Sequence, residues 1–331
     1  MFLLLMACNG AAQIDDLTPV TDTADTEADT GDAADTADTG DTGTEQPDYD
    51  CEAVPSSYST STVAGAKAYH GIAFNADGDL VGWDGRNTLT TSAYGESATP
   101  WVPGMQVVEQ IVEHPSGDLF TLSANELIRI SPEGGQERIL GGLFYGYGLT
   151  FAPDGMLWVA DGGLHRVDIE TGEMTKFIPA PGPDDWQANL YRDVAFSLDS
   201  KRLYVVSTSN KLEYWDLDED LEPIGALKTF AIVPGSWKDG LMIDACGYFW
   251  LPDYQRSVVY RVDPDGEKTI QAAGGTEKSY PHALSWGGGG DWSQTSLFLP
   301  LPYNQGRVVE VEIGVPDGAS VRTWKGEKSR F

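Results

Sequence analysis

The stretch GLTFAPDGMLWVADG, residues 148–162, decides the fold of this chain. It contains a short apolar run, a Pro-Asp-Gly turn and a second run in which almost every residue is apolar. A Gly after Asp supplies the positive φ that a tight hairpin turn requires. A continuous apolar run of this length is typical of a strand that is buried on both faces. The stretch therefore predicts a hairpin of two buried strands.

The same phrase occurs in five further copies, which begin at Gly71, Gln110, Val194, Leu241 and Ala283. Their spacing of roughly 40 residues is the period of a propeller blade. Six copies predict an all-β fold, a six-bladed β-propeller whose channel mouth is the obvious place for a functional site. We expect the segment from Ser57 to Ala64 to complete either the first or the last blade. The large apolar side chains expected between blades include Trp83, Trp158 and Trp250.

Charge is concentrated at the N-terminal end of the chain. The net charge is −30, and residues 15–52 hold 14 acidic residues and no basic one. Such a field repels nucleic acid, so no nucleic-acid partner is expected. The repetitive Asp/Thr-rich composition of residues 9–52 predicts a disordered acidic tether, and residues 53–331 are then the propeller.

The first eight residues, MFLLLMAC, resemble the lipobox of bacterial lipoproteins, in which the cysteine is lipidated. Cys8 is therefore the predicted lipidation site, and residues 1–8 are the predicted end of a longer signal peptide. The alternative is an apolar N-terminus without this function. The resemblance predicts a lipid-anchored monomer in the cell envelope, at the outer membrane or cell surface. The anchor would be its only contact with the membrane.

Two cysteines remain, Cys51 at the end of the tether and Cys246 in the turn of the fifth copy. In an exported protein an even pair of cysteines favours a disulfide bond. The alternative is two unrelated thiols.

The stretch KDGLMIDACGYFWLPD, residues 238–253, resembles a signature of six-bladed propellers of the gluconolactonase and senescence-marker-protein type. It is similar, more loosely, to NHL-repeat proteins. Lys238 replaces the Pro of that signature. The resemblance implies a divalent cation at the channel mouth, commonly calcium, bound by a Glu of the first blade, Asn residues of the middle blades and an Asp of the fifth.

In such propellers the residue just before each inner strand faces the channel mouth. These positions hold His70, Glu109, Tyr147, Arg192, Asp239 and His282. Asp239 matches the Asp of the resembled family. His70, Tyr147 and Arg192 do not match its ligands, and an Arg beside a bound calcium ion would be repelled. A calcium-dependent lactonase is therefore only the third hypothesis for function.

Four of these residues belong to neighbouring blades and form a candidate metal site: His70, Glu109, Asp239 and His282. Imidazoles and carboxylates suit zinc, manganese or iron better than calcium. On the opposite side Arg192 could clamp a substrate carboxylate and Tyr147 could donate a proton. This arrangement looks like the mouth of metal-dependent propeller lyases such as virginiamycin B lyase. The alternative is a set of polar residues that bond to one another in a water-filled channel.

Two functions follow as expectations. The first is an extracytoplasmic module that binds a small molecule or a protein partner at the channel mouth. The second is a metal-dependent hydrolase or lyase acting at the same place. The remaining histidines, His114 and His165, are expected to be surface residues.

Overall fold

The computed structural model describes residues 49–180, 190–274 and 281–322. The chain divides into two units, Met1–Gly43 and Thr44–Phe331, and every described residue belongs to the second. Cys8, the predicted signal and most of the predicted tether lie outside the described residues. Within them, no helix has the length and apolar character needed to span a membrane.

The described residues form six four-stranded antiparallel sheets, so the predicted six-bladed all-β fold is confirmed. The strands are β1 Thr60–Lys67, β2 Ile72–Phe74, β3 Leu80–Trp83, β4 Thr88–Ser92, β5 Thr99–Pro103, β6 Val108–Glu113, β7 Leu119–Ser123, β8 Glu126–Ile130, β9 Gln136–Gly141, β10 Gly148–Phe151, β11 Leu157–Ala160, β12 Leu164–Val167, β13 Met174–Ile178, β14 Tyr191–Phe196, β15 Arg202–Ser207, β16 Lys211–Leu217, β17 Pro223–Ile232, β18 Met242–Ile243, β19 Phe249–Asp253, β20 Val258–Val262, β21 Thr269–Gly274, β22 Ser285–Trp286, β23 Ser296–Leu301 and β24 Arg307–Glu312. Two short 3₁₀ helices, Pro302–Asn304 and Gly318–Val321, complete the described elements.

The ring closes in the last blade. Its strand order is β1-β24-β23-β22, so the strand nearest the N-terminus is the outermost strand of the C-terminal sheet. The predicted strand between Ser57 and Ala64 therefore completes the last blade and not the first. Closure of this kind ties the two ends of the domain together and leaves only short, protected sheet edges.

The hydrophobic core is divided among the six interfaces between neighbouring blades. Trp83 lies between the first and second blades, Trp158 between the third and fourth, and Trp250 between the fifth and sixth. They are at most 7% exposed. Side chains of strands in adjacent blades interdigitate, so both faces of each sheet are apolar. This double burial explains why the sequence shows continuous apolar runs rather than alternation.

Glycines allow the inner strands to approach closely around the channel. A Cβ added to Gly148 would lie 2.3 Å from a carboxylate oxygen of Asp193 in the next blade, and one on Gly71 would lie 2.8 Å from Val108. Each of these glycines directly follows a mouth residue, Tyr147 or His70. The mouth side chains are thereby brought toward a common axis.

A disulfide bond joins Cys51 to Cys246, whose Cα atoms are 5.4 Å apart. It fixes the segment that precedes β1 to the turn between β18 and β19 in the fifth blade. Tyr49 and Tyr58 of this segment pack against the apolar cluster between the fifth and sixth blades. The bond closes a loop of 195 residues in the sequence.

Replacing both cysteines with serine is expected to lower the free energy of unfolding by about 2–4 kcal/mol, because the open chain gains entropy when unfolded. The measurement is urea denaturation of the oxidised protein and of the double variant. Wild-type protein under reducing conditions should match the variant. Equal midpoints for oxidised and variant protein would contradict the prediction.

Candidate functional site

The six predicted mouth residues are joined by a chain of side-chain contacts, in the order His70, Glu109, His282, Asp239, Arg192 and Tyr147. Tyr147 directly precedes its inner strand as predicted, whereas Glu109 and Arg192 lie inside β6 and β14. The pairing of each of these two strands with its neighbour shifts register at that point. Such irregularities bend a strand and redirect its side chains.

Glu109 is the centre of the cluster. Its Oε2 lies 2.7 Å from Nδ1 of His70 and 3.3 Å from Nδ1 of His282. The two imidazole rings stack with their centroids 4.1 Å apart. An ionised carboxylate only accepts hydrogen bonds, so Nδ1 of His70 carries the proton in the short contact. Both imidazoles therefore present the same nitrogen to one carboxylate.

Charge balance decides the protonation of this cluster. Burial would raise the pKa of Glu109, but the two imidazoles outweigh it and hold the pKa well below its usual value. Burial would lower the pKa of His282, but Glu109 and Asp239 raise it to about 9. In the metal-free protein at neutral pH, His282 is therefore an imidazolium between two carboxylates.

We expect the His282 resonances of metal-free protein to titrate near pH 9 in NMR spectra. Because its folded pKa lies above the ordinary 6.5, His282 contributes stability that is complete below that value. This stability is lost as pH rises through about 9. His114, which is half-buried and bonds to Ser116, serves as an internal reference because its partial burial lowers its pKa. Titration of His282 below pH 7 would contradict the prediction.

Arg192 and Asp239 form a second unit beside this cluster. The guanidinium contacts Oδ1 of Asp239 through Nε at 2.7 Å and a terminal nitrogen at 2.6 Å. It also lies 3.6 Å from the ring centroid of Tyr147 and 5.3 Å from that of Trp237. Arg192 is only 6% exposed. In the structure Arg192 is paired with Asp239, and the prediction that it could clamp a substrate carboxylate stays a prediction.

The structure distributes the predicted metal ligands unevenly. His70, Glu109 and His282 offer ligand atoms within 4.8 Å of one another, whereas Asp239 is not part of this group. Oδ2 of Asp239 still lies 3.2 Å from Nδ1 of His282. Asp239 thus orients the imidazole of His282, and Arg192 balances the charge of Asp239.

The donor types and the spacing of one donor pair fit a transition metal, and the stacked rings of His70 and His282 must turn before both can face one ion. Ligand atoms about 2.1 Å from a tetrahedral metal are about 3.4 Å apart, close to the 3.3 Å between Glu109 and His282. The 2.7 Å contact of His70 is shorter and must open as its proton leaves. Two imidazoles and one carboxylate favour zinc, manganese or iron.

Tyr145 is a site residue that the sequence analysis did not single out. Its hydroxyl lies 3.5 Å from Oε1 of Glu109, and its ring packs 4.9 Å from that of Tyr147. Burial, followed by the charge of Glu109, raises its pKa, so the phenol stays protonated. The duplicated Tyr-Gly of residues 145–148 was the available signal, because both tyrosines precede the same inner strand.

His165 is not a surface residue, so that prediction was wrong. It is 2% exposed, and its Nε2 lies 2.7 Å from Oδ1 of Asp161. Oδ2 of Asp161 accepts a hydrogen bond from the backbone N–H of Phe144. The pair therefore holds the loop that carries Tyr145 and Tyr147 to the mouth.

A second layer of polar bonds lies behind the mouth and joins four blades. Oε1 of Gln110 accepts from the N–H of Leu149 at 2.6 Å, and its amide nitrogen donates to Asp193 at 3.3 Å. Asp193 also accepts from the N–H of Leu241 at 2.7 Å. Burial raises the pKa of Asp193 to about 8. These bonds fix the relative positions of the inner strands.

No protein-family model and no curated protein matches this chain. Solved structures do resemble it. Regucalcin from Agrobacterium tumefaciens, described as a calcium-binding protein, is 17% identical with a TM-score of 0.62, covering 78% of this chain and 95% of its own. A gluconolactonase from Xanthomonas campestris is 16% identical with a TM-score of 0.62, covering 78% and 90%. Virginiamycin B lyase from Staphylococcus aureus is 14% identical with a TM-score of 0.52, covering 77% and 98%.

The chain shares its fold, a six-bladed β-propeller, with the gluconolactonase and with regucalcin. At such low identity the shared property is the fold.

Proposed function

We propose that the protein is a metal-dependent hydrolase or lyase that acts at the channel mouth. The observation that carries this proposal is the convergence of His70, Glu109 and His282, whose ligand atoms lie within 4.8 Å of one another. Three protein ligands that leave a position for water or substrate are characteristic of catalytic transition-metal sites. The likeness to a gluconolactonase and to virginiamycin B lyase supports the same class of reaction.

The residues of this chain have distinct tasks in that proposal. His70, Glu109 and His282 would hold the ion, which supplies Lewis-acid polarisation of a substrate carbonyl when bound. Asp239 orients His282 in the metal-free site, and Arg192 keeps Asp239 ionised. The protonated Tyr145 hydroxyl donates to Glu109 and would turn away from it to donate a hydrogen bond to a substrate oxygen.

A binding module without catalysis is the second candidate, and one observation favours it. The two carboxylates of the mouth are already balanced by Arg192 and by the protonated His282. The cluster is therefore electrostatically satisfied without an ion. In this case the mouth would recognise a small molecule or a protein partner directly.

The experiment that separates the two candidates is an assay of metal-stripped and metal-reconstituted protein against a panel of uncharged lactones and cyclic esters. The enzyme proposal expects turnover that disappears with a chelator and returns with zinc, manganese or iron. Turnover that survives complete metal removal would overturn it. Absence of any turnover, together with saturable binding by metal-free protein, would establish the binding module instead.

We also propose that the protein is exported and held in the cell envelope by lipid on Cys8. The sequence Leu-Met-Ala-Cys supports the anchor, and the bond between Cys51 and Cys246 supports an oxidising compartment. Protein expressed with a complete lipoprotein signal is expected to partition into detergent, and its Cys8→Ser variant into the aqueous phase. Identical partitioning of the two forms would contradict the proposed lipid anchor on Cys8.

A further inference from the structure

An aromatic cleft opens beside the candidate metal centre. It has a volume of about 410 Å³, and His70 and Glu109 form part of its wall. The rest of the lining is largely apolar, and we define the aromatic cleft by six residues: Tyr69, Trp83, Val107, Tyr145, Pro302 and Tyr303. Its volume falls in the range of about 300–1,000 Å³ that is typical of small-molecule sites.

The apolar surface of this cleft is unusually open to solvent. Val107 is 36% exposed, Tyr145 39% and Tyr303 63%. Phe144, adjacent to Tyr145 in the chain, is 40% exposed. Large exposed apolar side chains grouped around a concave surface mark a binding site more often than chance exposure does. The cleft is continuous with the metal centre because His70 and Glu109 belong to both.

The charges around the cleft restrict what it can bind. No Lys or Arg lines it within the described part of the chain, so an anionic ligand finds no partner there. Arg192, the cation of the mouth, is paired with Asp239 and covered by Tyr147. The one carboxylate of the lining, Glu109, already contacts the protonated His282, so a cationic ligand gains little from it.

We propose that the aromatic cleft holds the ring of an uncharged substrate, whose polar group then lies at His70 and Glu109. Ring faces of Tyr145 and Tyr303 supply stacking and apolar contact, which are strongest with a flat or ring-shaped group. A charged group would leave water for this surface without compensation. The inference names the substrate class of the proposed enzyme and rests on that proposal for the reaction, although ring binding itself needs no metal.

The test uses metal-free protein and three probes of nearly identical shape: benzamide, benzoate and benzamidinium. Saturation-transfer NMR and chemical-shift titration give the affinity of each. Benzamide is expected to bind, and each charged probe is expected to bind at least about tenfold more weakly. Equal or tighter binding of either charged probe would overturn the proposal, as would the absence of any benzamide binding.

Variants locate the binding. Tyr303→Ala and Val107→Ser are each expected to weaken benzamide binding, the former by about three- to tenfold. Ile232→Ala is the control, because Ile232 is 58% exposed and lies outside the cleft. If all three variants bind benzamide as tightly as the wild type does, the ring binds elsewhere and the proposal is overturned. The probes need no metal, so failure of the proposed metal centre would leave these results unchanged, and the two failures are distinguishable.

Discussion

Replacing Lys238 with methionine is expected to lower the free energy of unfolding by about 3–5 kcal/mol, the usual cost of leaving a buried charge without its partner. Lys238 and Asp253 are both completely buried, and the Lys Nζ lies 3.0 Å from Oδ2 of Asp253. The variant keeps the volume of the side chain but leaves the buried Asp253 carboxylate without its charged partner. Urea denaturation of wild type and variant measures the effect.

Two further variants make this prediction specific. Lys238→Met combined with Asp253→Asn is expected to be more stable than Lys238→Met alone, because no charge is then left unpaired. Lys228→Met is the matched control, since Lys228 pairs with Asp216 on an exposed surface, and no measurable change is expected. A loss below about 1 kcal/mol for Lys238→Met would show that water reaches Asp253.

Replacing Glu109 with glutamine is expected to lower transition-metal affinity at least about 100-fold. Loss of residues that merely support a ligand already costs about 10–100-fold, and Glu109 is the carboxylate that both imidazoles face. Isothermal titration of metal-stripped protein measures the affinity, and thermal unfolding shows whether the propeller remains intact.

Glu113→Gln is the control for this variant. Glu113 lies on the same strand, β6, and undergoes the same chemical change. It lines the channel cavity beyond the mouth, where it is exposed to solvent. It is expected to bind metal as the wild type does. Equal losses in both variants would mean that the effect arises from the strand rather than from the carboxylate at the mouth.

The number of blades and the identity of the mouth residues could be predicted from the sequence for a common reason. A propeller repeats one local pattern, so equivalent positions in the pattern become neighbours around the axis. His70 and His282 occupy such positions in blades that meet where the ring closes. Neither prediction depends on how a particular side chain is turned.

The pairing of side chains within the mouth could not be predicted in the same way. Arg192 had several possible partners in adjacent blades, and only the structure shows that it forms an ion pair with Asp239. His165 was misplaced because alternation suggests an exposed face on β12, whereas three of its four residues are buried. Lys238 was recognisable as a departure from the resembled signature, but its partner lies 15 residues away at the end of β19.

We propose that His70, Glu109 and His282 form a transition-metal site. Its most direct test is competitive titration of metal-stripped wild-type protein with zinc, manganese, iron(II) and calcium, while the histidine resonances or absorption-edge spectra are followed. We expect the protein to bind one equivalent of a transition metal more tightly than calcium, and the signals of both His70 and His282 to change. Binding of no metal, or tighter binding of calcium without any change at the two histidines, would contradict it.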